Sequence, residues 1–187
     1  MIKDTLLLVD DNLSNLAVLF DHLDTAGYHV LVADNGIDAV EQTVADHPDL
    51  ILLDVRMPAM DGYETCRAIK ANAVVANIPI IFLSALADTD DRLKGFEAGG
   101  VDYVTKPVDA QEVVARIRTH IMLARLQREL TTMNEQLEET VSARTVELNV
   151  EIEQRRQQEI EKEQLLGLVR EQNQQLFHFT NQLLQAR

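Results

Sequence analysis

Leu50-Ile51-Leu52-Leu53-Asp54-Val55-Arg56-Met57-Pro58-Ala59-Met60-Asp61-Gly62 is the stretch on which the fold turns. Four consecutive aliphatic residues are short for a helix and lack the alternation of a half-exposed strand. They fit a strand buried on both faces. The run stops on a carboxylate, Asp54, and a segment carrying Pro58 and Gly62 follows it. An amphipathic stretch at about 62–72 comes next, so strand, charged strand end and helix follow in that order.

The same pattern recurs on both sides. Leu6-Leu7-Leu8-Val9, His29-Val30-Leu31-Val32, Ile78 to Leu83 and Val101 to Val104 are further aliphatic runs of strand length. Leu13, Leu16, Phe20 and Leu23 share a helical spacing, and other helical stretches run at about 36–46 and 88–98. Ala26-Gly27, Asp34-Asn35-Gly36, His47-Pro48-Asp49 and Gly99-Gly100 mark the turns. Pro79 falls near a strand start, where a missing N–H is tolerable. Five βα units predict an α/β domain with a parallel sheet, right-handed crossovers and helices on both faces.

Ligands of such sheets bind beyond the carboxyl ends of the strands. Asp10 and Asp11 follow the first strand, Asp54 ends the third, Ser84 ends the fourth, and Lys106-Pro107 follows the fifth. Three converging carboxylates repel one another and imply a hard divalent cation such as Mg²⁺. A metal, an ammonium and a hydroxyl around a carboxylate are the parts needed to transfer and hold a phosphoryl group.

Composition separates this region from the rest of the 187 residues. All sixteen aspartates and all four prolines lie at or before Asp109, and residues 108–166 contain neither Gly nor Pro. Residues 1–122 read as the globular domain, and 123–187 as one long helix rich in Gln, Glu, Leu and Arg. The net charge of −14 argues against direct binding to nucleic acid or an anionic membrane. No apolar run approaches the ~20 residues of a membrane helix, and no signal peptide is legible, so a cytoplasmic protein is expected. The single cysteine, Cys66, excludes an internal disulfide framework and reads as packing.

Residues 5–120 resemble the receiver domain of bacterial two-component response regulators. The matching strings are Leu8-Val9-Asp10-Asp11, Leu53 to Gly62, Leu83-Ser84-Ala85 and Val101-Asp102-Tyr103-Val104-Thr105-Lys106-Pro107. The resemblance implies a flavodoxin-like, doubly wound sheet of strand order 2-1-3-4-5. It makes Asp54 the acceptor of a phosphoryl group from a sensor histidine kinase or phosphotransfer protein. Mg²⁺ would be held by Asp11, Asp54 and the backbone carbonyl of Arg56, with Asp10 acting through a metal-bound water. Lys106 and the Ser84 hydroxyl would contact phosphoryl oxygens, and Tyr103 matches the aromatic switch position. Arg56 and Ala85 occupy variable positions that tune dephosphorylation. The Lys106–Pro107 bond is cis in the family. Gly100 stands where Ala is commoner, which is expected to loosen the turn into the fifth strand. Asp34, Asp38 and Asp61 read as turn and helix-start residues instead of ligands. By the resemblance the chain is a phosphoacceptor and not an enzyme acting on other substrates.

The fifth helix should be capped by Asp109 and bury Val113, Val114, Ile117 and Ile121. Leu123, Leu126, Leu130, Met133 and Leu137 then continue at alternating steps of three and four, a coiled-coil seam. Val141, Leu148 and Ile152 follow a four-residue stutter. The seam returns as Leu166, Val169, Asn173, Leu176, Thr180 and Leu183, with polar Arg155, Glu159 and Lys162 between. A parallel homodimer through residues 123–187 is the simplest cover for it, with Asn173 as a register device. His178 lacks the neighbours of a kinase's phosphorylated histidine. Three readings stand: a regulator relaying phosphorylation through the coil, a scaffold with an unused pocket, or the N-terminal part of a regulator with a further effector domain.

Overall fold

A computed structural model of the protein describes residues 3–84 and 89–185, without the side chains of Leu13, of 89–92 and of 175–185. Ala85, and the side chains of Leu176, His178, Thr180 and Leu183, lie outside the described residues. Contacts divide the chain into two units, Met1–Glu129 and Leu130–Arg187.

The first unit alternates strand and helix: β1 (Thr5–Val9), α1 (Leu13–Thr25), β2 (His29–Ala33), α2 (Gly36–Asp46), β3 (Leu50–Asp54), α3 (Gly62–Ala71), β4 (Ile80–Ser84), α4 (Thr89–Glu97), β5 (Asp102–Thr105) and the start of α5 (Ala110–Gln185). The strands form one parallel sheet in the order β2-β1-β3-β4-β5. The order reverses beside β1, so the carboxyl ends of β1 and β3 flank the crevice where such folds bind ligands.

Two apolar layers sandwich the sheet. Leu6, Leu8, Leu50, Leu52, Ile81 and Leu83 pack with α1 and with Val113, Ile117 and Ile121 of α5. Leu7, Ile51, Leu53, Ile80 and Phe82 pack on the other face with Cys66 and Ile69 of α3. Successive strand residues point to opposite faces, which is why the continuous aliphatic runs serve both layers. Full burial holds for the central β3 and β4, and β1 is nearly as deep. The edge strand β2 is less covered, with Val32 38% exposed, and β5 is covered only in part.

Turn chemistry sets the helix starts. Asn12 caps α1, accepting from the N–H groups of Ser14 and Asn15. Asn35 caps α2, and Asp61 forms a capping box with Glu64 at α3. Asp109 accepts from Gln111 and Glu112 N–H at the start of α5. The core face of α1 is Leu16, Leu19 and Leu23, and Phe20 lies at its border, 36% exposed. Gly100 is filled and not loose, because a Cβ there would sit 2.4 Å from the Phe82 ring. No helix among the described residues is long and apolar enough to cross a membrane.

Beyond Glu129, α5 continues to Gln185. Leu130, Met133, Leu137, Val141, Leu148, Ile152, Leu166 and Val169 are each between 45% and 66% exposed in the isolated chain.

Candidate functional site

The carboxyl ends of β1 and β3 and the segment after β5 bring three acids and a lysine together. One oxygen from each of Asp10, Asp11 and Asp54 lies within 4.8 Å of the others. Asp10 and Asp54 are buried and Asp11 is exposed. Lys106 Nζ donates to Asp10 Oδ2 at 2.7 Å and lies 3.0 Å from Asp54 Oδ1. Its backbone N–H donates to Ser84 O at 2.7 Å, pinning the end of β5 to β4. The following Lys106–Pro107 peptide is cis.

Asp10 is 1% exposed and fully engaged. It accepts from the Asn12 N–H at 2.9 Å and from Asn15 Nδ2 at 3.3 Å to both oxygens. Burying a carboxylate is costly unless it is hydrogen-bonded, and these donors meet that need. Asn15 was not legible as a site residue. Its only sequence signal is its place three residues after the cap Asn12, in the turn of α1 that rises beside β1.

Asp54 is placed by close packing. Gly62 N–H donates to Val55 O at 2.9 Å, closing the loop after β3. A Cβ at Gly62 would fall 2.2 Å from the Asp54 carbonyl oxygen, so only glycine lets α3 start there. Met57 folds back into the core, and Ala59 takes a left-handed conformation with φ 67°. Burial pushes the Asp54 carboxyl above the usual carboxylate range. The Lys106 ammonium and the Arg56 N–H oppose that shift, and the Asp10 charge adds to it. Burial alone would weaken protonation of Lys106. Its hydrogen bonds to Asp10 and Asp54 outweigh this and hold its pKa above the ordinary value.

Three carboxylates against one ammonium leave two negative charges in the cleft. The donors are all oxygens, and they match a hard divalent cation in charge and chemistry. The Arg56 carbonyl follows Asp54 by two residues in the same loop.

Ser84 ends β4, 8% exposed, in register with Thr105. Tyr103 pairs in register with Phe82, is half-buried, and meets Phe96 edge-on at 6.4 Å. A groove of about 490 Å³ opens beside Asp10, lined by Asn15, Val18 and His22 of α1 and by Lys106, Pro107 and Ala110.

Asp34, Asp38 and Asp61 are occupied elsewhere, bonding Asn35 or capping helices. Cys66 is buried, its thiol directed to Ala98 O at 3.2 Å, and burial pushes it up to about 11.

This arrangement is that of a receiver. Residues 6–118 match the family model described as response regulator receiver domain. The chain belongs to that family. It is 37% identical over 113 residues to the DNA-binding dual master transcriptional regulator RpaA of Synechocystis sp., covering 60% of this chain and 47% of that one. It is 40% identical over 114 residues to the response regulator PleD of Caulobacter vibrioides, covering 61% of this chain and 25% of that protein. The fold is shared with the receiver domain of the sensor histidine kinase PA1611 of Pseudomonas aeruginosa, solved with magnesium coordinated in its active-site cleft. That likeness has 36% identity, a TM-score of 0.61, and coverage of 64% of this chain and 98% of the other. The chain spans about half the length of the first curated relatives it matches.

Proposed function

We propose that this protein receives a phosphoryl group on Asp54 from a phosphohistidine of a sensor kinase or phosphotransfer protein. The observation that carries the reading is the Lys106 ammonium set between Asp54 and Asp10, with Asp11 completing the acidic cluster. Asp10, Asp11, Asp54 and the Arg56 carbonyl would hold Mg²⁺. When bound, that ion supplies charge neutralisation for an incoming phosphoryl group.

A carboxylate oxygen of Asp54 attacks phosphorus while the P–N bond to the donor imidazole breaks. The donor imidazole, protonated on its second ring nitrogen, leaves as neutral histidine with the electron pair of the broken P–N bond, and the other product is an aspartyl phosphate. Lys106 exchanges a carboxylate partner for a phosphoryl oxygen, and the Ser84 hydroxyl donates to another. Tyr103, on the strand beside Ser84, turns inward as Ser84 moves.

Output runs through residues 123–187, paired as a parallel coiled-coil homodimer. The heptad spacing and the exposure of the seam residues support this reading.

Labelling with a phosphodonor tests the first step. Asp54→Asn, or EDTA with the unaltered chain, should abolish incorporation, and label persisting on the Asn variant refutes the assignment. Sedimentation of residues 1–187 at micromolar concentration tests the second. A dimer is expected, and a monomer refutes the coil.

A further inference from the structure

The seam is not the only apolar face of the distal helix. Val146, Val150, Ile160 and Leu168 are 63%, 53%, 44% and 60% exposed. At 3.6 residues per turn their mean direction lies about 170° from that of the seam residues Val141, Leu148, Ile152, Leu166 and Val169. A two-stranded coil buries the seam and leaves this opposite face in water. In an ordinary dimeric coil those outer positions are polar.

The charges divide between the same two sides. Within about 60° of the centre of the outer face, residues 135–171 place Glu135, Glu139, Glu153, Glu161 and Glu171. No Lys or Arg of this segment falls there. Arg144, Arg155, Arg156, Lys162 and Arg170 all point about 90° or more away. Two of those bases are bonded on their own side, Arg144 to Glu147 and Arg155 to Glu151 at 2.8 Å. The outer face therefore combines exposed branched aliphatics with uncompensated carboxylates.

We infer that this outer face, from Glu135 to Glu171, is a docking surface for a basic amphipathic helix of a partner protein. Apolar side chains of the partner cover Val146, Val150, Ile160 and Leu168, and its flanking Lys or Arg residues meet the glutamates. A second copy of this chain does not fit there, because two such faces would set five glutamates against five. The inference does not depend on phosphorylation at Asp54, nor on the seam being paired.

The test uses the full chain and two labelled 18-residue Leu/Lys peptides of identical composition. One gathers its leucines on a single helical face, and the other scatters them. Anisotropy should show the facial peptide binding about tenfold or more tightly than the scattered one, a difference of about 1.4 kcal/mol. Replacing Val146, Val150, Ile160 and Leu168 with Gln should erase that margin, while circular dichroism shows unchanged helicity. Leu148→Gln, on the seam, should leave it. Equal affinity for both peptides overturns the inference, since charge alone would then explain binding. So does a margin that survives the four substitutions. Sedimentation of the wild-type chain as a tetramer that the same substitutions reduce to a dimer also overturns it, by assigning the face to self-association.

Discussion

The first unit packs a core from its own aliphatic side chains, whereas residues 130–174 bury none of theirs. In the first unit Leu50, Ile51, Leu52 and Leu53 are 0% exposed and are covered by helices of the same chain. In the second, a comparable supply of Leu, Val and Ile remains open to solvent along one helix. Hydrophobic composition is thus no guide to where a core lies. Short runs punctuated by turns close on themselves, and an unbroken helix has no element of its own segment to fold its apolar residues against.

The largest effect that sharpens this contrast is in the sheet. Leu52→Ala should destabilise the receiver by about 2–5 kcal/mol in urea unfolding followed by circular dichroism. Leu148→Ala should move that same transition by less than about 0.5 kcal/mol. Similar shifts from both would break the contrast.

Glycine substitutions should differ in sign. Gly100→Ala drives a methyl into the Phe82 ring and should cost about 1–3 kcal/mol, partly recovered by Phe82→Leu. Gly167→Ala meets nothing within 4 Å and should raise helicity, stabilising the helix by up to about 1 kcal/mol.

Acid sensitivity should reside in the receiver. Burial alone would raise the Asp102 pKa, but Arg116, His120 and the Tyr103 N–H outweigh it and hold the carboxyl below its ordinary 3.8. A depressed pKa gives stabilisation that is present above the ordinary value and lost as pH falls through the folded one. Asp102→Asn should therefore cost of order 1 kcal/mol at neutral pH, after screening at half-exposed Arg116, and the deficit should shrink below about pH 4. A deficit independent of pH would remove the ion pair as its cause.

The smallest effect concerns Cys66. With its thiol pushed up to about 11, it should ignore a disulfide reagent at pH 8 and react at once in urea. Rapid labelling of the folded chain would show that the layer beneath α3 opens.

Much of the receiver was legible because its rules are local. Runs of four aliphatics bounded by Gly, Pro and Asn fix strands, and the chain order of strand ends assembles Asp10, Asp11, Asp54 and Lys106. What stayed hidden depends on neighbours distant in sequence. The fit of Gly100 is set by a Phe eighteen residues earlier. Asn15 matters only because α1 turns it toward Asp10. Phe20 and Leu19 compete for one helix face, and spacing alone does not rank them. The exposure of β2 follows from its place at the sheet edge, which composition does not reveal.

The Lys106 ammonium has one more consequence. Resting between Asp10 and Asp54, it is a tethered rival to any cation entering the cleft. It sets a threshold, the divalent-ion concentration at which the cleft half fills. A neutral residue at 106 would lower that threshold while removing the contact proposed above for the phosphoryl group. Such a variant would bind its ion more readily and use it less well, a dissociation of occupancy from signalling that a metal titration beside a labelling assay would make visible.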